Sequence, residues 1–361
     1  MRIGIVGLPN AGKSSLFNAL TRAGAETAAY PFTTVDPNVA IVPVPDERLA
    51  RVADAVGSTA VVPETIAFHD IAGLVRGAHA GEGLGNRFLA NIRETDAILH
   101  VVRTHDDPQV PHPEGRVDPL ADAEAVEAEL LYADLEQAER RLERVARQAK
   151  SHERAAVAEE AWLREVVDGL RRAVPVRAAP PPPADAPEAL RSLQPLTAKP
   201  VLYVANAGED SGGEVPAALA DHAAAAGAAA VAVSARLEAE LAELDAEESA
   251  AMRAELGAPE SGLERVVRAA FDLLGLISFF TADEGTEARS HAVADGTSAW
   301  EAAGRVHTDM QRGFVRADVA PWDALVAAGG YAGARGRGEL RSEGRDYRVR
   351  DGDVILIRFS A

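Results

Sequence analysis

Short apolar runs separated by longer polar stretches mark the beginning of the chain. Arg2–Val6 is the first run; a loop of Gly, Pro and Asn follows it, and Ser14–Thr21 then has the pattern of first helical turns. The other runs that predict strands are Val39–Val44, Thr65–Asp70, Ala97–Arg103, Val201–Ala205 and Ala229–Val233. Because short apolar strands alternating with helices are typical of parallel sheets covered on both faces, we expect an α/β sheet domain.

The hydrophobic spacing changes at Pro119, where a long helix with one apolar seam is predicted. Beyond this point the apolar positions recur at spacings of three and four amid dense Glu and Arg. These positions are Leu131, Leu135, Ala138, Leu142 and Val145. A second helix is predicted over Ala155–Val174, so we expect a coiled-coil hairpin projecting from the sheet domain. Pro180–Pro183 predicts a stiff, exposed connector before the sheet pattern resumes at Lys199.

The last part of the chain has shorter segments. Near Leu273 the helical pattern gives way to Ser278–Ala282 and then to short strands and turns, ending in a predicted strand over Val354–Phe359. We therefore predict a small α+β domain over residues 275–361. The sheet domain then consists of residues 1–118 and 197–274, with the helical hairpin of residues 119–196 inserted between its two parts.

Composition limits the class of protein. With 361 residues the chain is too long for one ordinary core. Apolar residues make up 47% of it, yet no run approaches the ~20 residues of a membrane span, so we expect no membrane partner. The chain begins without the pattern of a secretory signal and contains no cysteine, which excludes disulfides and thiolate sites. We expect a cytoplasmic protein.

The formal charge of −19 argues against a protein that coats nucleic acid, because such binding needs many Lys and Arg on the contact face. Any RNA contact must therefore be local. One candidate is a cluster of arginines near the C-terminus, interleaved with Glu339, Glu343 and Asp346, which leaves a mixed solvated surface as the alternative. Its members are Arg335, Arg337, Arg341, Arg345, Arg348 and Arg350.

The segment Gly7–Ser14 has the pattern GxxxxGK[ST] between a predicted strand and a predicted helix, which is the context a phosphate loop requires. Glycines let successive backbone N–H groups face a phosphate, and the helix N-terminus adds its positive dipole end. Lys13 is expected to contact the β- and γ-phosphates and the Ser14 hydroxyl to bind Mg²⁺. The predicted nucleotide contacts here are Asn10, Ala11, Gly12, Lys13, Ser14 and Ser15.

Two further segments carry candidates for the metal and the γ-phosphate. Asp70 ends a predicted strand and starts an Asp-x-x-Gly pattern, so we expect its carboxylate beside Mg²⁺ and the Gly73 amide beside the γ-phosphate. Thr34, in a proline-flanked loop, is the preferred metal-binding threonine, although a turn hydroxyl is the simpler alternative. Gly77, Gly81, Gly83 and Gly85 suggest a loop that changes shape with the nucleotide.

Long ordered stretches resemble the YchF family, in the Obg-related branch of the translation-factor-like GTPases. They cover residues 7–21, 30–38, 70–103, 304–318 and 343–355. The resemblance implies a P-loop G domain, a helical insertion and a C-terminal TGS domain of β-grasp type. It also implies association with the ribosome, with RNA contact through the helical arm or the TGS domain, and a monomer.

Base recognition departs from ordinary G proteins. Their Asn-Lys-x-Asp motif is replaced by Asn206, Ala207, Gly208 and Glu209, so both the stacking lysine and the guanine-binding aspartate are missing. Adenine offers an acceptor and a donor that an Asn amide can serve, and the family resemblance implies a preference for ATP. Ser234 and Ala235 match the last nucleotide-side loop.

Hydrolysis also departs from the Ras pattern, because Leu74 stands where a water-orienting Gln is expected. Turnover is then slow until a partner helps, or another polar group enters. His112 matches a histidine proposed as catalytic in this family; the alternative is an ordinary loop histidine. Asn10 resembles an asparagine that coordinates K⁺ in relatives, or simply favours a turn.

These residues together predict a ribosome-associated ATPase that acts as a nucleotide-dependent switch in translation or stress response. Two alternatives stay open. One is a GTP-specific Obg-type factor, against which the missing Asn-Lys-x-Asp motif argues. The other is a binding scaffold whose nucleotide fixes the helical arm with negligible turnover, which Leu74 keeps open.

Overall fold

The computed structural model describes residues 1–27, 38–71, 84–208, 213–256 and 260–360. Four of the residues singled out by the sequence lie outside these ranges, and so do most of the glycines after Gly73. These four are Thr34, Gly73, Leu74 and Glu209.

The strands are β1 (Arg2–Val6), β2 (Val39–Pro43), β3 (Ala60–Val62), β4 (Thr65–Asp70), β5 (Ala97–Arg103), β6 (Val201–Asn206), β7 (Ala229–Val233), β8 (Leu276–Ala282), β9 (Glu287–Ala294), β10 (Phe314–Pro321), β11 (Arg341–Glu343) and β12 (Asp353–Phe359). The helices are α1 (Lys13–Thr27), α2 (Glu47–Val56), α3 (Leu84–Arg93), α4 (Pro119–Ala149), α5 (Arg154–Arg171), α6 (Ala189–Leu193), α7 (Ala217–Ala225), α8 (Ala235–Leu241), α9 (Ala246–Glu255), α10 (Gly262–Leu273), α11 (Ala299–Val306), α12 (Thr308–Arg312), α13 (Trp322–Ala327) and α14 (Tyr331–Gly336). Within the described ranges, none of these helices is long and apolar enough to cross a membrane.

The first sheet has the strand order β2-β4-β1-β5-β6-β7. From β4 to β7 every neighbouring pair is parallel, as the alternation of apolar runs and helices predicts. Strand β5 is buried along its whole length, and the apolar side chains of this sheet pack against α3 and α4. The predicted α/β class is confirmed, and the carboxyl ends of β1, β4, β5 and β6 form one edge of the sheet.

Helices α4 and α5 form the predicted hairpin. Asp118 caps α4, since its Oδ1 accepts a hydrogen bond from the Ala121 N–H at 3.1 Å. The buried seam includes Ala138 and Val145 of α4 and Trp162 of α5. Helix α5 ends at Arg171, three residues earlier than predicted, because Ala173 adopts φ = 58°, which a right-handed helix cannot contain.

The proline-rich connector is exposed at Pro180 and Pro181, as predicted, and half-buried at Pro182 and Pro183. The Trp162 Nε1–H donates to the Pro180 carbonyl at 2.9 Å, and Val176, Ala186 and Leu193 are buried with the helical hairpin. The prolines prevent a helix, and the apolar residues before and after them supply the packing face. The flanks of the connector therefore belong to the hairpin's core, while the prolines form the exposed segment between them.

A buried carboxylate, Asp134, and a half-buried one, Glu127, fix α4 to β6 and to the segment before it. Asp134 accepts hydrogen bonds from the Leu196 N–H at 2.8 Å and from the N–H and hydroxyl of Thr197, each at 2.7 Å. Glu127 accepts one from the Tyr203 hydroxyl and lies 2.8 Å from His222 Nε2. Burial raises the pKa of Asp134, and the hydrogen bonds from Thr197 and Leu196 oppose that rise.

The second sheet has the order β11-β10-β12-β8-β9-β3. Strands β8 and β12 are parallel, β8–β9 and β10–β12 are antiparallel, and α11 packs with the residues of this sheet. This is the β-grasp arrangement that the sequence predicts. Ser298 and Glu301 form a capping box at the start of α11.

The internal contacts of the chain divide it into two compact units. One unit consists of residues 1–23, 34–40 and 67–266, and the other of residues 24–33, 41–66 and 267–361. Leu49 and Val52 of α2 share a buried cluster with Phe280 and Leu325. Residues 41–66 therefore group with the C-terminal segment, which sequence order alone does not indicate.

Candidate functional site

The segment Gly7–Ser14 connects β1 to α1 and has a backbone that only certain residues allow. Gly12 has φ = 97° and Asn10 has φ = 63°, both in the left-handed region. A Cβ on Gly7 would lie 2.3 Å from the Val101 carbonyl oxygen, and one on Gly12 would lie 2.0 Å from Asn206 Nδ2. A side chain at either position would therefore collide with a neighbouring group, in addition to the limits that the backbone conformation sets.

Lys13 is the first residue of α1, and its side chain turns back into the loop. Its Nζ donates to the Leu8 carbonyl at 2.7 Å, and the residue is 7% exposed. Burial lowers the pKa of Lys13 to about 8, and the nearby charge of Asp70 opposes this shift. The ammonium group is thus held inside the loop where a phosphate would stabilise its charge.

Asp70 ends β4, which pairs with β1 so that Asp70 stands opposite Ile5. The carboxylate therefore lies at the same sheet edge as the phosphate loop. Burial raises the pKa of Asp70, and Lys13 opposes the rise. Ser14 is exposed in the first turn of α1. Mg²⁺ prefers oxygen ligands such as hydroxyl and carboxylate groups, so Ser14 and Asp70 both fit the predicted role as metal ligands.

A cleft of about 930 Å³ opens beside the loop. It brings together residues from the phosphate loop, the end of β6 and the start of α8. The predicted residues among its lining are Asn10, Gly12, Ser15, Asn206, Ala207, Ser234 and Ala235. A volume of this size accommodates a nucleotide-sized ligand.

The structure gives Asn206 a structural role beside the predicted reading of adenine. Its Nδ2 donates to the Ala11 carbonyl at 2.9 Å, its Oδ1 accepts from the Ala235 N–H at 3.1 Å, and the residue is 7% exposed. The amide thus ties the phosphate loop to the start of α8. These bonds use one of the two amide hydrogens and the amide oxygen, and Asn206 still lines the cleft, so its contact with a base stays a prediction.

The Asn206→Ala variant should bind ATP and GTP less tightly by the same factor, about 10-fold or 1.4 kcal/mol. Each of the two lost hydrogen bonds contributes about 1 kcal/mol to holding the loop, and most of that sum should appear as weaker binding. The ratio of the two dissociation constants should not change. Calorimetric titration with both nucleotides measures this, with Asn91→Ala, an exposed residue of α3, as control. A loss confined to ATP would return Asn206 to base recognition.

The neighbouring residues of the predicted base loop are also buried or structural. Ala207 is 2% exposed, and its N–H donates to the Val233 carbonyl at 2.9 Å. Ser234 caps α8 through its Oγ, which accepts from the Leu237 N–H at 3.4 Å. Ala207 consequently offers no flat side chain for stacking on a base.

His112 lies in the loop between β5 and α4, with both ring nitrogens bonded. Its Nε2 is 2.7 Å from Asp122 Oδ2, and its Nδ1 accepts from the Glu114 N–H at 3.2 Å. Because a backbone N–H can only donate, the ring proton must be on Nε2, facing Asp122. Burial raises the pKa of Asp122, an effect that the bond from His112 opposes. In this arrangement His112 cannot accept a proton from water.

The sequence prediction missed Arg103, at the end of β5. Its residue is 2% exposed, and its guanidinium donates to the carbonyls of His105 at 2.9 Å and Val110 at 2.8 Å. It lines the cleft and shapes the loop that leads to His112. An arginine at the end of a largely apolar strand was the available signal. Arg22, which lines the same cleft, forms an ion pair with Glu243 at 2.7 Å.

Comparisons with known proteins agree with this site. Residues 2–150 match the model of the MMR_HSR1 family, described as a 50S ribosome-binding GTPase. Residues 276–360 match the YchF-GTPase_C family, described as a protein of unknown function. The two models cover the phosphate loop and the second sheet.

Full-length relatives are similar along the whole chain. The protein named ribosome-binding ATPase YchF from Bacillus subtilis is 46% identical over 362 residues, covering 99% of this chain and 98% of that protein. The protein of the same name from Escherichia coli O157:H7 is 45% identical, covering 99% of each. The solved structure of the Schizosaccharomyces pombe YchF GTPase matches with a TM-score of 0.86 and 33% identity, covering 99% of this chain and 97% of that one. The phosphate loop, the two sheets and these matches show that the chain belongs to the YchF family.

Proposed function

We propose that this protein is a ribosome-associated ATPase whose nucleotide state controls its binding to the ribosome. The observation that carries the hydrolytic part is the buried Lys13 ammonium inside the Gly7–Ser14 loop, beside Asp70. The ribosomal part is supported by the relatives, which are named ribosome-binding ATPases. Action in the cytoplasm, as a monomer and in translation or stress response, belongs to the same proposal. We also retain the domain division 1–118, 119–196, 197–274 and 275–361 as a proposal.

Mg²⁺ fits the oxygen donors of this site. Ser14 and Asp70 would hold it, with Thr34 as a proposed third ligand outside the described residues. Within the described ranges no three acidic or histidine side chains cluster as a metal site. Nucleotide phosphates and water would complete the shell of the ion. The ion would neutralise charge on the transferring phosphoryl group. Lys13 would stabilise the same charge, and Gly73 would contact the γ-phosphate.

ATP preference is supported by what the base site lacks. No lysine is present to stack, because Ala207 takes that position, and Glu209 replaces the aspartate that would bind guanine. The candidates for discrimination between the two bases are Asn206, Glu209, Ser234 and Ala235, and Asn206 already bonds to the Ala11 carbonyl and the Ala235 N–H. The relatives' name, ATPase, supports the same preference.

Slow hydrolysis follows from Leu74, and His112 would assist water only after leaving Asp122. Asn10 is the residue through which K⁺ would act. Its Nδ2 donates to the Pro111 carbonyl at 3.0 Å, so its Oδ1 is the atom proposed for the ion.

The decisive experiment measures affinity for ATP and GTP side by side, at one salt and Mg²⁺ concentration, together with turnover in the presence and absence of ribosomes. ATP binding tighter by about 10-fold, or 1.4 kcal/mol, with ribosome-stimulated turnover, is expected. Tighter GTP binding would favour the GTP-specific alternative. Tight nucleotide binding with no turnover under any partner condition would favour the scaffold.

Local RNA contact by the C-terminal arginines is part of the proposal. All six are exposed, and in the described residues Arg341 is 3.8 Å from Glu343 while Arg348 donates to the Gly296 carbonyl at 2.6 Å. Exposed guanidinium groups bind phosphate by counterion release.

The double variant Arg337→Ala/Arg345→Ala should bind ribosomes several-fold more weakly, with a salt dependence shallower by about 0.7 to 0.9 per lost phosphate contact. Nucleotide affinity should stay unchanged. Ribosome co-sedimentation across a salt series measures both quantities. The variant Arg164→Ala/Arg172→Ala, with one residue in α5 and one directly after it, tests the helical arm. If only this variant binds ribosomes more weakly, the RNA contact is made by the arm and not by the C-terminal arginines.

A further inference from the structure

His112 is turned away from the nucleotide cleft and packed against the first turn of α4. The side chains of His112 and Asp122 are 5% and 7% exposed. Pro108 and Val110 of the same loop line the cleft, whereas His112 is not among the described residues that do so. The 2.7 Å contact with Asp122 therefore fixes the ring on the helix side of the loop.

Of the two partners, α4 is the fixed one. Glu127 and Asp134 bond this helix to β6 and to the segment before it, through Tyr203, Leu196 and Thr197. Asp122 belongs to the same continuous helix, between its N-cap and Glu127. A change at this contact must therefore come from the loop rather than from α4.

The loop has the features of a segment that can swing. Pro113, Glu114 and Gly115 are exposed, Gly115 has φ = 70°, and no atom lies within 4 Å of the place a Cβ would take on it. The residue before His112 is already at the phosphate loop, since the Pro111 carbonyl accepts from Asn10 at 3.0 Å. Releasing the ring requires the loss of its bonds to Asp122 and to the Glu114 N–H.

We propose that Asp122 is a positioning residue that holds His112 out of the nucleotide cleft, so that hydrolysis is restrained until this hydrogen bond is broken. The inference rests on the hydrolytic function proposed above. Only molecules in which His112 is released would have an imidazole available to accept a proton from water. The turnover rate would therefore be proportional to the fraction of such molecules.

The Asp122→Asn variant tests the restraint with almost no change of volume. A neutral amide accepts a weaker hydrogen bond from Nε2–H than a carboxylate does. We expect kcat for ATP to rise about 5- to 10-fold, because the fraction of molecules with a released His112 increases. KM should stay within about twofold of the parent's value, because the contacts to the nucleotide do not change. Asp122→Ser, which cannot reach the ring, should raise kcat at least as much. Glu124→Gln removes the same charge from an exposed position two residues along α4 and should change neither constant.

The increase in kcat of the Asp122→Asn variant must depend on the presence of His112. His112→Ala should lower kcat, and adding Asp122→Asn to it should give no increase. An equal increase in both backgrounds would overturn the proposal, because Asp122 would then act on some other group.

A second readout does not depend on turnover. Amide hydrogen exchange in the peptide covering residues 110–118 should be about 10-fold faster in Asp122→Asn than in the parent. The reason is that the loop opens more easily once its charge-assisted hydrogen bond to α4 is lost. Unchanged exchange would overturn the restraint, and so would faster exchange with lower kcat, since Asp122 would then orient His112 productively. Faster exchange with no turnover in any variant would overturn the hydrolytic function and leave Asp122 as a restraint on the loop.

Discussion

Replacing Lys13 by methionine is expected to lower kcat for ATP at least about 10³-fold, equivalent to ~4 kcal/mol of transition-state stabilisation. Lys13 is the buried cation that the phosphate loop holds at its centre, and methionine keeps the apolar stem but removes the charge. Turnover under saturating ATP and Mg²⁺ measures the effect. The control is Lys150→Met, a substitution at an exposed position just after α4. Retention of a tenth or more of the parent's rate would contradict the role given to Lys13.

The same substitution should stabilise the ligand-free fold. The pKa of Lys13 is about 8 in the folded protein against 10.5 for an ordinary lysine, so below pH 8 the folded state bears the full cost of a buried charge. This cost fades as the pH rises from about 8 to 10.5. Lys13→Met should therefore raise the free energy of unfolding by about 1–3 kcal/mol at pH 7, and by much less near pH 10.

Denaturant titration at the two pH values measures the difference between the variant and its parent. Leu8 keeps a partner for its carbonyl in the variant, because the Ala11 N–H also donates to it at 3.3 Å. A destabilised Lys13→Met at pH 7 would show that the ammonium contributes more through its hydrogen bond than burial costs it.

Replacing Asp134 by alanine is expected to lower the free energy of unfolding by about 3–5 kcal/mol. The carboxylate accepts bonds from the Leu196 N–H and from two donors of Thr197, and its residue is 1% exposed. Alanine would leave these donors buried without their acceptor. Asp134→Asn should cost less, since its amide oxygen still accepts, although its NH₂ group then faces a donor.

Chemical denaturation followed by circular dichroism compares the Asp134 variants with Glu136→Ala. Glu136 lies on the same helix but in an exposed ion pair with Arg140, so its loss should change stability by less than about 0.5 kcal/mol. A cost below about 1 kcal/mol for Asp134→Ala would mean that water replaces the carboxylate at this site.

The sequence alone determined the local elements and the phosphate site. β1, β4, β5 and β7 match their predicted bounds because a parallel strand in a sheet with covered faces leaves a short, largely apolar run. The Gly7–Ser14 loop could be recognised because the spacing of its glycines, lysine and serine is a pattern of neighbouring residues, although Gly7 and Gly12 also meet the distant Val101 and Asn206. Neighbouring residues set both features.

Tertiary structure decided the roles that depend on distant partners. Asn206 bonds to Ala11, 195 positions away, and α2 joins a cluster with residues of the C-terminal segment. His112 could be named from the sequence, but its bond to Asp122 depends on how the loop folds against α4. An amide, an imidazole or a guanidinium has several possible partners, and its residue type does not say which one will be near. The periodic pattern of a helix or strand fixes its own conformation, whereas the direction and partners of a polar side chain are fixed only when the elements pack.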